Sequence, residues 1–207
     1  MKGKLILAGS IVALTLAAFT LPAFTELEIG ASLTKGDVKM KDVSGKEITL
    51  NETKGKSGLL VIFTCNTCPY VKLYQSRIAE GILQATRSGF GVVLVNSNEA
   101  LRGNEDSFDA MKKNWEENKY TVPYVVDNNS ELADAFGAAK TPHVFIFDKN
   151  DKLAYKGGID NNAKDGNAAS EFYLRDALKS ISLGTPVAVT TSKSVGCSIK
   201  RIVKETK

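Results

Sequence analysis

Residues 59–64, Leu-Leu-Val-Ile-Phe-Thr, form an unbroken apolar and β-branched run. Such a run, with no alternating polar face, suits a strand covered on both sides. Beyond it, Val71, Tyr74, Ile78 and Ile82 recur at helical spacing up to Gly89 and Gly91, which offer a C-terminal stop. Residues 91–96 (Gly-Val-Val-Leu-Val-Asn) are a second buried strand. Strand, helix, strand in this order predicts a right-handed parallel crossover and commits the chain to an α/β architecture.

The flanking sequence fits that frame. Residues 38–50 alternate around Ser44-Gly45 and predict a hairpin ahead of the main sheet. Phe108, Met111 and Trp115 mark an amphipathic helix opened by Asp106 or Ser107, its apolar stripe read as core packing. Residues 120–127 read as a strand, and Ser130 is expected to cap a short helix ending at Gly137. Thr141-Pro142 precedes the apolar strand 143–148, which turns at Asn150-Asp151 into an antiparallel partner at 153–157. Residues 157–167 are a loop, and Leu174, Leu178 and Ile181 line a last helix stopped by Gly184.

At the N-terminus, Lys2 and Lys4 precede an apolar stretch from Leu5 to Phe24, with small residues at Ala23 and Thr25. This is the pattern of a cleaved export signal over residues 1–25, and implies a periplasmic or otherwise exported protein. The membrane enters only if that segment is retained. Its removal takes away two lysines and lowers the net charge from +4 to +2. The remaining charges are interspersed, which argues against a nucleic-acid partner. What remains is one domain, residues 26–184, and a tail, residues 185–207, that the pattern does not place.

Three cysteines stand at 65, 68 and 197. An odd count is poor material for a structural disulfide framework, and a Cys-x-x-Cys ring closes too short a loop to stabilise much. Cys65-Asn66-Thr67-Cys68 instead follows a strand and opens a helix. There the helix N-terminus favours a thiolate, expected on Cys65, while Cys68 lies one turn on, within reach to resolve a mixed disulfide. Pro69 suits the first helical turn and rules out the His a c-type haem motif requires. A structural zinc site would have to recruit His143 and Cys197, and a pair without chemistry is the plain alternative.

The run FTCNTCPYVK, the later Thr141-Pro142 before a strand and the GCSIK ending resemble a bacterial group of thioredoxin-like redoxin-domain proteins, within the superfamily that includes alkyl hydroperoxide reductases and thiol-specific antioxidant proteins. The likeness spans roughly residues 30–202. It implies a thioredoxin-like fold, a central mixed sheet flanked by helices, and thiol-disulfide exchange without metal or organic cofactor. It further implies catalytic Cys65 and Cys68, with Cys65 the exposed nucleophile, and a cis Pro142 facing them. Thr141 would then offer its backbone to a substrate peptide. Protein thiols and disulfides are the implied partners, together with an unidentified redox partner that restores the dithiol.

The departures are informative. Thr64 stands where thioredoxin has Trp, and Asn66-Thr67 replaces Gly-Pro. The upstream Pro and Thr or Ser of peroxiredoxins are missing, which counts against the alternative, a thiol peroxidase passing through a sulfenic acid. His143 reads as a strand residue rather than a base, and Lys72 as solvent-facing rather than a thiolate partner. Cys197 is either a small buried hydrophobe or a third redox thiol brought back to the pair by the tail.

Overall fold

The structure, a computed structural model, describes residues 25–202. The expected export signal lies outside the described residues but for Thr25. In chain order the elements are β1 (Met40–Lys41), β2 (Glu47–Ile48), α1 (Leu50–Thr53), β3 (Gly58–Thr64), α2 (Pro69–Leu73), α3 (Gln75–Arg87), β4 (Phe90–Asn96), α4 (Phe108–Glu117) and β5 (Tyr124–Val126). They continue with α5 (Glu131–Phe136), β6 (Lys140–Thr141), β7 (His143–Asp148), β8 (Leu153–Gly157), α6 (Tyr173–Ser182) and β9 (Cys197–Ser198).

Five strands form a mixed sheet in the order β5-β4-β3-β7-β8, with β3, β4 and β5 parallel and β7 and β8 antiparallel additions. All seven residues of β3 are buried, as expected of the central strand. Leu60, Ile62, Leu94, Val144 and Ile146 face one apolar layer shared with α3 and α6. Val61, Phe63, Val95, Phe145 and Phe147 face a second, closed by Leu50 of α1 and by Leu132 and Phe136 of α5. The sheet thus carries helices on both faces.

The predicted hairpin is present as β1 and β2, and Thr49 opens α1 with a reciprocal capping box to Glu52. Thr49→Ala should lower stability by about 1 kcal/mol, read as a shifted midpoint in chemical denaturation at unchanged slope.

Several expectations need correction. The helix after β3 is two helices, broken at Tyr74, whose side chain is buried and whose hydroxyl lies 3.2 Å from Asp160 Oδ1. Ser130 does not cap α5. It sits at φ 55° and its hydroxyl donates to Ser97 O, while the Asp127 carboxylate accepts the N–H groups of Leu132 and Ala133 at 2.8 and 2.9 Å. The strand expected over 120–127 shrinks to the three residues of β5.

The tail is a strap. Thr190 O accepts the Lys156 N–H at 3.0 Å and the Ser192 N–H donates to Lys156 O at 3.1 Å, so the strap first follows the outer edge of β8. Gly157 permits this approach: it lies at φ +142°, and a Cβ there would come within 2.4 Å of Ser192 O. β9 then pairs antiparallel with β6, placing Ser198 opposite Lys140 and Cys197 opposite Thr141. Beyond it, Ile199 is buried in the second apolar layer, the Lys200 N–H donates to Asn98 Oδ1 at 2.9 Å, and Arg201 bonds Asp134 Oδ1 at 2.7 Å.

Candidate active site

The site lies where β3 ends. Cys65 follows Thr64 directly, Asn66 and Thr67 bend the chain, and Cys68 is the N-cap of α2 with Pro69 in the first turn. The helix therefore begins three residues later than the sequence suggested, and its N-cap is Cys68, not Cys65.

The Thr141–Pro142 peptide bond is cis, and Thr141 lies against both sulfurs. Cys65 Sγ lies 3.3 Å from Thr141 Oγ1, and Cys68 Sγ lies 3.1 Å from the Thr141 carbonyl oxygen. Cys197 packs against the same apolar layer as the pair and stands opposite Thr141 in the β6–β9 pair. All three cysteines are thus gathered around one residue. Cys65 and Cys68 are each only 3% exposed, contrary to the expected exposed nucleophile.

The bend is held by Asp106, one of the two residues that the sequence offers as the cap of α4. Asp106 is fully buried, and its carboxylate accepts the Asn66 N–H at 2.9 Å and the side-chain amides of Asn96 and Asn98, each at 2.8 Å. The Tyr124 hydroxyl donates to Asn66 Oδ1 at 3.0 Å. Ser107 is the true N-cap of α4. Nothing in the sequence separates a capping Asp from a buried acceptor one position away.

The two thiols of the pair are pushed apart. The Cys65 thiol, donating a hydrogen bond to it, lowers Cys68 from the ordinary 9.0 to about 4 against the effect of burial. The Cys197 thiol and the N–H groups of Val71 and Cys197 add to this. As a thiol Cys68 would donate to the Thr141 carbonyl, and ionisation gives up that one contact. The donors around its sulfur outnumber it, and the anion rests on Cys68. Cys65 is pushed up, first by its bond to Cys68, then by burial and the Asp106 charge, with the Thr141 hydroxyl opposing.

His143 stands in β7 and turns to the other face of the sheet, its ring 4.6 Å from that of Phe145. Burial, helped by Lys156, lowers it to about 4, so it is neutral at ordinary pH. Lys72 is exposed. Among the described residues no group of three or more His, Cys, Asp or Glu is arranged to hold a metal ion.

The redoxin family model matches residues 18–171, a span that includes Cys65, Cys68 and Pro142. The chain belongs to the redoxin family. Among curated relatives of this redoxin, the thiol-disulfide oxidoreductase ResA of Geobacillus thermodenitrificans is 28% identical over 157 residues, covering 72% of this chain and 84% of the relative. An uncharacterised conserved protein of Geobacillus kaustophilus superimposes with a TM-score of 0.78 at 32% identity, over 87% of this chain and 94% of its own. The thioredoxin domain of a thiol-disulfide oxidoreductase from Bacteroides vulgatus, at 19% identity, TM-score 0.53 and coverage of 63% and 89%, shares the fold. The fold is thioredoxin-like.

Proposed function

We propose that this thioredoxin-like oxidoreductase exchanges disulfides with protein substrates through Cys65 and Cys68, and that it does so outside the cytoplasm. The observation that carries the reading is the convergence of both sulfurs on Thr141 at 3.3 and 3.1 Å, at the strand end that opens α2. The lysine-flanked apolar N-terminus supports export, and the likeness to ResA supports the reaction.

In the cycle, the Cys68 thiolate attacks a substrate disulfide and forms a mixed disulfide, releasing one substrate thiol. Cys65 then gives up its proton and attacks Cys68 Sγ, leaving the Cys65–Cys68 bridge and the second substrate thiol. Thr141 serves as the substrate-docking residue, with Pro142 shaping the turn beside it. The protein's own strand β9 covers the Thr141 edge and must leave before a substrate strand takes its place.

Iodoacetamide labelling of the reduced protein at mildly acidic pH tests the assignment. Cys68 should be labelled well before Cys65, with a rate that falls only as the pH approaches about 4; labelling of Cys65 first reverses the two roles. Stability follows the same thiolate. A thiol lowered on folding contributes stability that is present above its ordinary 9.0 and lost as the pH falls toward about 4. The reduced protein should therefore lose its advantage over Cys68→Ser across that window. Acceleration of insulin reduction by dithiothreitol tests the reaction itself, while consumption of hydrogen peroxide in its place would favour the peroxidase.

A further inference from the structure

Cys197 is held on the pair by more than proximity. Gly196 passes so close over the cis-proline turn that a Cβ there would lie 2.0 Å from Thr141 O and 2.6 Å from Thr141 C. No side chain fits, so the chain docks only as glycine. The next residue, Cys197, is then fixed by the β6–β9 pairing opposite Thr141, whose carbonyl touches Cys68 Sγ. Anchors stand on both sides: Ser192 on Lys156 upstream, and Ile199 on Ala139 O and Lys200 on Asn98 downstream.

We propose that Cys197 is a third redox thiol of this site: in the oxidised protein its sulfur attacks Cys68 Sγ, the Cys68–Cys197 bond forms and the Cys65–Cys68 bond breaks. The bonding electron pair leaves on Cys65, which takes up the proton that Cys197 gives up. One disulfide replaces another, so no external oxidant or reductant is consumed. The step rests on the reading above that Cys65 and Cys68 form the working disulfide. Its product fastens the strap across the Thr141 edge while freeing Cys65.

The charges around Cys197 favour the step only after the pair is oxidised. In the dithiol, burial and then the neighbouring Cys68 anion push the Cys197 thiol up, and it donates to Cys68. Once Cys68 is in a disulfide that anion is gone, while the charge of Lys200 and the Tyr70 N–H still favour a Cys197 thiolate.

Peptide mapping reads the bond directly. Trypsin places Cys65 and Cys68 together on peptide 57–72 and Cys197 on peptide 194–200. After oxidation by one equivalent of oxidised glutathione and acid quenching, the wild-type protein should yield these two peptides joined. Cys65→Ser should yield them joined almost completely, at a rate independent of protein concentration. Adding Gly196→Val to Cys65→Ser should slow the joining about tenfold or more by lifting the strap off the turn. Circular dichroism checks that the fold is kept, and should Gly196→Val unfold, Cys197→Ser provides the control that must lose the joined peptides and keep the Cys65–Cys68 bridge. A free Cys197 in oxidised wild type, or glutathione or a second chain on Cys68 in Cys65→Ser, overturns the proposal. Insulin reduction separates this from the parent reading: a wild type that reduces insulin with Cys197 always free loses only the third thiol. A wild type that joins the peptides without reducing insulin loses the proposed substrate reaction instead.

Discussion

Cys68→Ser should reduce insulin-coupled disulfide exchange to background, a fall of about three orders of magnitude or more. Serine at the N-cap keeps a hydrogen-bond acceptor for the Val71 N–H, so α2 is retained and the loss is chemical. Its hydroxyl does not ionise near neutral pH, and exchange proceeds only through a thiolate. The remaining Cys65 cannot substitute: its bond to Cys68, which pushes its thiol up most, is gone, but burial and the Asp106 charge still raise it, and it has no Cys68 to resolve a mixed disulfide. Cys65→Ser should behave differently. It retains the Cys68 anion and loses the thiol that closes the cycle within the pair; Cys197 then resolves Cys68, so mixed disulfides should accumulate on non-reducing gels only when Cys197→Ser is added to it. Survival of most of the wild-type rate in Cys68→Ser would remove Cys68 from the reaction.

The largest expected effect on stability belongs to Asp106. Asp106→Ala strips the acceptor from three donors at once, the half-buried Asn66 N–H and the buried amides of Asn96 and Asn98. At about 1–3 kcal/mol for each orphaned donor, the loss should be roughly 3–9 kcal/mol in urea unfolding. Asp106→Asn keeps the shape and removes the charge. Because that charge raises the Cys65 thiol, the Cys65 labelling profile should then move to lower pH, which a purely structural role would not cause. An unshifted profile alongside unchanged stability would mean that Asp106 neither holds the bend nor acts on Cys65.

The main sheet was readable because its signals are long or chemically distinct. Residues 59–64 are an unbroken apolar run, the Cys-x-x-Cys spacing of Cys65 and Cys68 is a distinct chemical signal, and Pro142 stands directly before a strand. The positions that escaped are short or ambiguous. A strand of two residues, such as Cys197–Ser198, has no period to detect, so the place of the tail depends on partners more than thirty residues away. Tyr74 keeps helical spacing on both sides and hides the break between α2 and α3. Ser130 is an ideal cap by type, but the carboxylate of Asp127 reaches the same N–H groups first. In each case the local preference was sound, and a tertiary partner took precedence.

The course of the strap along β8 also bears on how the chain behaves at high concentration. β8 is the last strand of the sheet, and a bare last strand offers its unpaired N–H and C=O groups to any neighbouring chain. Thr190 and Ser192 occupy those groups at Lys156, several residues before the strap reaches the cysteines. Release of Cys197 for exchange can therefore stop at Gly196 and leave the border of the sheet sealed. A chain cut near residue 189 would lose both functions together, and its first symptom would be self-association through β8 rather than altered redox chemistry.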